Sequence, residues 1–159
     1  MSYFIRFFGR GNAPTIDALS GLLRAASPDL SLQSATEPMR ALIVRDGGDA
    51  ALPYAEIDVN LPGDDLFEPE IEEFLEWAHS ERMHETVVRA RDDVVSALGA
   101  TEFIIAVRYL WMGRSSDEVL DAVDPLWTVL KSGWSGIVHA SGEGFYRGHD
   151  LILELPTNK

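Results

Sequence analysis

The sequence predicts an α+β protein, in which duplicated strand-helix-strand-strand units form a mostly antiparallel sheet with helices on one face and a long acidic helix between the repeats. Three observations lead there. Short β-branched or aromatic runs closed by glycine alternate with amphipathic stretches at helical spacing, the same order of elements occurs before residue 62 and after residue 101, and the stretch between them has the longest helical stripe of the chain.

Tyr3 to Phe8 is a short apolar run closed by Gly9, as a strand should be. Pro14 opens a helix in which Ile16, Leu19, Leu22 and Leu23 recur at helical spacing until Ser27-Pro28 stops it. Ala41 to Val44 is a second strand meeting the turn Asp46-Gly47-Gly48, and Tyr54 to Leu61 alternates polar and apolar residues as a half-buried strand does. After Pro69 a stripe of Ile71, Phe74, Leu75, Ala78, Met83, Val87, Ala90, Val94 and Leu98 predicts a helix capped by Gly99. A straight helix of that span is about 45 Å long, more than a compact domain of this size has across, so it must kink, split or project. Phe103 to Trp111 is the next strand. Ser115 and Glu118 begin a helix with a capping box, Asp124-Pro125 is expected to divide that helix in two, and Gly136 to Ala140 and Leu151 to Leu155 are the last strands. Gly142 to Gly148 is expected to be a hairpin turn, since the glycine spacing and the strand that follows do not suit a dinucleotide loop.

Landmarks support the repeat. Phe8-Gly9-Arg10 before one helix matches Met112-Gly113-Arg114 before the other, Ile43-Val44 matches Ile137-Val138, and Val59 to Pro62 matches Leu153 to Pro156. The expected organisation is a single domain over 1–159, with a first repeat at 1–62, an acidic helical connector at 63–100 and a second repeat at 101–159. Extra residues fall between the first helix and its following strand, around Ser27 to Met39. The tandem order resembles the gyrase-inhibitor-like domains, and that resemblance implies a groove between the two modules that takes small hydrophobic molecules. It covers the repeats but not the connector, and no motif carries residue roles across.

The chain has 159 residues, of which 26 are acidic and 13 basic, and no cysteine. A disulfide framework, a thiolate nucleophile and a sulfur-ligated metal are thereby excluded. A net charge of −13 without clustered Lys or Arg disfavours nucleic acid and anionic membrane as partners. The N-terminal run is interrupted by charge before a secretory core develops, and no stretch approaches a membrane span, so a cytoplasmic location is expected. Homo-oligomers are compatible with the edge strands that such a sheet leaves open.

The acid is concentrated. Residues 51–100 carry thirteen acidic and three basic side chains, which is −10 of the −13. Asp64, Asp65, Glu68, Glu70, Glu73 and Glu76, with Glu72, stand at the start of the long helix, where free backbone N–H groups and the positive dipole end favour carboxylates. The plain reading is a solvated helix entrance; the functional reading is a docking surface for a basic protein. Asp64-Asp65 lacks the ligand spacing of a calcium loop, and the two Glu-x-x-His pairs, Glu76 with His79 and Glu81 with His84, are offset by five residues and cannot face one metal. No metal and no other cofactor is expected. His139 and Glu143 are the one candidate acid-base pair, and the serines lack a nucleophile elbow. Aromatic side chains are dense after residue 101, and Trp111, Trp134 and Tyr146, with Glu56 or Glu143 for charge, are the candidate lining of a groove for a small aromatic or cationic ligand. The expected function is a non-catalytic acidic interaction module, inhibitor or immunity-like, for a basic protein, with that small-molecule groove as the alternative.

Overall fold

A computed structural model describes residues 3–37, 39–49, 52–80 and 85–154. Its elements in chain order are β1 (Tyr3–Gly9), α1 (Ile16–Ala26), β2 (Leu30–Ser34), β3 (Arg40–Arg45), β4 (Ala55–Asn60), α2 (Phe67–Ser80), α3 (Glu85–Gly99), β5 (Phe103–Tyr109), α4 (Ser116–Gly133), β6 (Gly136–Ala140), β7 (Gly144–Arg147) and β8 (Asp150–Glu154). The protein is α+β. Its strands form one eight-stranded sheet in the order β2-β3-β4-β5-β1-β6-β7-β8, with every neighbouring pair antiparallel.

Each predicted unit contains one more strand than expected. β2 occupies the stretch taken for extra residues, and β7 occupies the stretch taken for a hairpin turn. The sheet also shows how the two halves meet: β1 and β5 pair along their full length, from Tyr3 opposite Tyr109 to Gly9 opposite Phe103. A strict twofold exchanging β1 with β5 would give them equivalent outer neighbours. Instead β5 is flanked by β4, the last strand of the first half, and β1 by β6, the first strand after α4. Ile43-Val44 accordingly lies in the middle strand of its meander, whereas Ile137-Val138 lies in the strand that docks on β1. Leu155-Pro156, used for the other landmark, lies outside the described residues.

Helices cover both faces of the sheet, which corrects the expectation of one. On the first face Leu19 and Leu23 of α1 and Val119, Val123, Leu126, Trp127 and Leu130 of α4 pack on Phe7, Ile43, Ile57, Phe103, Ile105 and Val107. On the second, Phe67, Phe74 and Trp77 of α2 and Val94 and Leu98 of α3 pack on Phe8, Ile104, Ile137, Phe145 and Leu153. Strand alternation explains the division, because Phe7 and Phe8, or Ile104 and Ile105, point to opposite faces. At about 1.5–3 kcal/mol for each fully buried large apolar side chain, both clusters are needed to hold the central strands.

The long acidic helix is two helices, α2 and α3, that pack against each other, so the connector splits rather than projects. Met83 and the Glu81-His84 pair lie outside the described residues. α4, in contrast, is not divided: it runs from Ser116 to Gly133 with Pro125 inside it. Pro125 cannot donate to the Asp121 carbonyl, but that carbonyl belongs to an exposed residue that water reaches, while Ala122, Val123, Leu126 and Trp127 on either side are buried. The predicted cap holds, with Ser115 accepting from the Glu118 N–H at 3.3 Å. Among the described residues no helix is long and apolar enough to cross a membrane.

Candidate interaction surface

Among the described residues, the helices on the second face cover only half of the sheet. The apolar cluster under α2 and α3 contains no residue of β2, β3 or β4. On β4 the residues that alternate with buried Ala55, Ile57 and Val59 are Glu56, Asp58 and Asn60, so the uncovered half carries charge. Register fixes its partners: Glu56 is opposite Arg108 on one side and Leu42 on the other, and Asp58 is opposite Arg40. Arg40 Nε lies 2.6 Å from Asp58 Oδ1 and 3.9 Å from Glu56, and Arg108 lies 3.2 Å from Glu56. Arg40 also reaches Glu37 at 2.8 Å.

The start of α2 stands beside this face. Asp64 turns back to accept the Leu61 N–H at 2.6 Å, and Glu68 accepts the Gly63 N–H at 3.3 Å, so these two carboxylates close the turn into the helix while staying exposed. Asp65, Glu72, Glu73 and Glu76 are exposed as well. Glu70 differs. It points toward the sheet and pairs with Arg6, whose guanidinium lies over the rings of Phe4 at 5.0 Å and Phe74 at 5.2 Å. That contact ties α2 to β1, and Glu70 presents no free charge to a partner.

Where helix entrance and open strands meet there is a concavity of about 580 Å³ lined by Glu37, Met39, Arg40, Asp58, Asp64, Asp65 and Leu66, among others. Four carboxylates and one guanidinium line it, and Leu66 at the rim is 59% exposed. The sequence singled out Asp64 and Asp65 here but missed Glu37, Arg40 and Asp58. The alternation of Tyr54 to Leu61 was the available signal for Asp58; nothing local connects Glu37 or Arg40 to the helix entrance.

Of the residues of the alternative groove, Trp111, Glu143 and Tyr146 gather around Tyr3, whereas Glu56 and Trp134 lie elsewhere. Glu56 is on the uncovered half of the second face. Trp111 and Tyr146 pack at the edge of the first-face core, near the Tyr3 end of β1, with the Tyr3 and Trp111 ring centroids 6.1 Å apart. Trp134 is at the Gly9 end of the same face, half-buried, its indole N–H donated to the Asn12 carbonyl at 2.8 Å and its ring edge-on to Phe103. Glu143 accepts from the phenols of Tyr3 and Tyr146, each at 2.9 Å. The expected pair of His139 and Glu143 is not formed: His139 is fully buried on the second face, ringed by Phe74, Trp77 and Phe145 at 4.8–5.0 Å, while Glu143 serves two tyrosines on an exposed hairpin. Among the described residues no group of three or more His, Asp or Glu is placed to hold a metal ion.

The Glu143 cluster has a pH signature. Burial, and then the bond to Glu143, push the Tyr3 phenol well above its ordinary value. Tyr146 is raised first by Glu143 and then by burial. Tyr109 is raised by burial, against the bond that Trp127 Nε1 donates to its oxygen at 2.8 Å. Folding therefore favours the neutral phenols; the stability they contribute is complete below about pH 10, the ordinary phenol value, and is lost as pH rises through the higher folded values. Glu143→Gln removes the charge that opposes phenolate, and in an alkaline titration of tyrosinate absorbance two tyrosines should ionise at lower pH than in the parent. An unchanged titration would place Glu143 away from both phenols.

Comparison of the chain with protein-family models, with curated proteins and with solved structures finds no match.

Proposed function

We propose that this chain is a non-catalytic interaction protein of the inhibitor or immunity kind, which takes a basic protein partner on the surface formed by the start of α2 and the uncovered strands. The observation that carries the reading is the concavity in which Asp64 and Asp65 stand with exposed Leu66 beside Glu37 and Asp58, the last two sharing Arg40, so that four carboxylates face one guanidinium. An acidic concave patch with an apolar rim suits a protruding Lys- or Arg-bearing loop: charge steers encounter and sets register, and the leucine adds dry contact. The acids on the outer side of α2, Glu72, Glu73 and Glu76, extend the negative field beyond the concavity. The Arg40 and Arg108 guanidiniums keep the open strands from being a uniform anion sheet and hold Glu56 and Asp58 in place.

A groove between the halves has less support, because the halves meet through the hydrogen-bonded pair β1 and β5 with Phe7 and Phe103 packed beneath.

The test uses two double variants with the same change in net charge. Asp65→Lys with Glu76→Lys alters the proposed surface without touching the carboxylates that close the turn; Asp150→Lys with Glu154→Lys alters exposed acids on β8. Basic proteins captured from extract by the parent are identified by mass spectrometry and then rebound as purified proteins over a salt series. Affinity should drop at least about tenfold for the first variant, stay near the parent for the second, and fall with salt for the parent. Equal loss in both variants, or binding indifferent to salt, would overturn the reading.

A further inference from the structure

Among the described residues, the helices of the first face also stop short of one edge of the sheet. The apolar cluster under α1 and α4 takes in Tyr146 of β7 at its margin and no residue of β8. Leu151 of β8, opposite Tyr146 in the strand pair and therefore on the same face, is 47% exposed. The outer side of α4 borders a concavity of about 340 Å³, lined by Asp124, Trp127, Thr128, Lys131 and Ser132 of the helix and by His149 of the turn between β7 and β8. That volume falls in the range of small-ligand sites, about 300–1,000 Å³. Positions 124, 127, 128, 131 and 132 form one helix face; Trp127 is buried, Lys131 half-buried, and Asp124, Thr128 and Ser132 are exposed.

The concavity has two electrical ends. Asp124 and Lys131 are seven residues apart, about 10 Å along the helix axis. Burial, and then the Asp121 carboxylate, raise the Asp124 carboxyl above its ordinary value, and Lys131 acts against both. Neither Asp124 nor Lys131 makes an ion pair among the described residues. His149 stands at the Lys131 end, because its neighbour Gly148 lines a second concavity together with Lys131. An ion of one sign gains at one end and loses at the other, whereas a ligand with opposite charges about 10 Å apart gains at both. We propose that this concavity binds a short peptide with free ends, about three residues long, its ammonium facing Asp124 and its carboxylate facing Lys131 and His149. Three extended residues span about 10 Å, which matches the helix stripe. Thr128 donates to the Asp124 carbonyl at 3.5 Å, which leaves its oxygen to accept a peptide N–H, and Ser132 adds a second hydroxyl. Trp127 is a fixed wall, since its indole N–H is donated to the Tyr109 hydroxyl at 2.8 Å. A single amino acid is too short to reach both ends. The site lies on the first face beside β7 and β8, whereas the acidic concavity lies on the second face beside β3 and β4, and neither reading depends on the other.

Trialanine with both ends free is the probe, set against N-acetyl-trialanine, trialanine amide and alanine, with the intact chain at constant ionic strength. Calorimetry gives the affinity, and the NMR signals of the Trp127 indole N–H and the Thr128 and Ser132 amides locate the binding. Trialanine should bind saturably, one to one, and about tenfold or more tightly than either capped peptide or alanine. Asp124→Asn should weaken trialanine by about tenfold and leave N-acetyl-trialanine as it was. Lys131→Met should weaken trialanine to a similar extent and leave trialanine amide as it was. Asp117→Asn, at an exposed position of α4 outside the concavity, should change none of these affinities. A trialanine amide that binds as tightly as trialanine, or an Asp117→Asn effect equal to that of Asp124→Asn, would show only a general attraction of ammonium groups to an acidic protein and would overturn the proposal. So would the absence of saturable binding at millimolar trialanine.

Discussion

Phe74→Ala is expected to lower the free energy of unfolding by about 3–5 kcal/mol, the range for removing a buried aromatic ring that its surroundings do not refill. Phe74 is fully buried at the centre of the second-face cluster, with ring centroids 5.3 Å from Phe8, 5.6 Å from Trp77, 5.9 Å from Phe145 and 4.8 Å from His139. These neighbours come from β1, α2, β6 and β7, so the cavity cannot close by a shift of one element. The Arg6 guanidinium loses a ring face at the same time, which loosens the contact with Glu70 that ties the acidic helix to the sheet. Phe74→Leu, which keeps much of the volume, should cost about 1–2 kcal/mol. Urea unfolding followed by tryptophan fluorescence measures both. Hydrogen exchange adds a second readout: because Phe8 and Phe145 lie in the sheet, protection should fall in β1 and β7 as well as in α2. A loss confined to α2, or an alanine variant within about 1 kcal/mol of the parent, would mean that the helix is an appendage rather than a layer of the core.

That second layer was legible in part. Tyr3 to Phe8, interrupted by Arg6, and Phe103 to Val107 are apolar on both faces, the pattern of strands buried on both sides, whereas Tyr54 to Leu61 alternates, the pattern of a strand with one face open. Taken together, those patterns place helices over both sides of β1 and β5 and over one side of β4. The reading of a one-faced sheet followed the repeat and overlooked this contrast. β2 was hidden because its alternation, Leu30 and Leu32 against Ser31 and Gln33, is short and follows a helix stop; β7 was hidden by Gly142, Gly144 and Gly148, which read as a turn. Pro125 failed as a helix breaker because burial of Ala122, Val123, Leu126 and Trp127 outweighs one missing backbone bond.

The candidate surface shows the same division between what is local and what is not. That residues 64–76 are acidic is plain in the sequence, and so is their place at a helix start. Which of those acids are exposed depends on residues far along the chain: Arg6 removes Glu70 from the exposed set, and Glu37 and Asp58 line a concavity with Asp64 and Asp65 only because β3 and β4 pass beside the helix entrance. The paired Gly-Arg landmarks illustrate it further. Arg114 is bound to four carbonyls and a tyrosine ring, while Arg10 makes no ion pair among the described residues and lines an open concavity, so the same dipeptide holds a loop in one half and faces solvent in the other.

The sharpest test of the strand arrangement around that concavity is Gly136→Ala, expected to cost about 3 kcal/mol or more, the upper range for overpacking. Gly136 is opposite Gly9 in the β1 and β6 pair. A Cβ at residue 136 would stand 2.2 Å from the Phe8 carbonyl oxygen and 3.0 Å from the Gly9 Cα, and both are backbone atoms of a central strand. Relief requires β6 to move away from β1, breaking hydrogen bonds on both sides of the offending residue. Gly9→Ala provides the contrast. Its Cβ would stand 2.2 Å from the ring of Phe103, a side chain that can turn or be shortened. Phe103→Leu should therefore recover part of the stability lost in Gly9→Ala, with a favourable coupling in the double-mutant cycle, and recover none of that lost in Gly136→Ala. Denaturation midpoints for the two single glycine variants, Phe103→Leu and the two doubles decide it. If Phe103→Leu relieved Gly136→Ala as well, the tight contact at residue 136 would be with a side chain, and the close approach of the two strands at their glycine pair would be wrong.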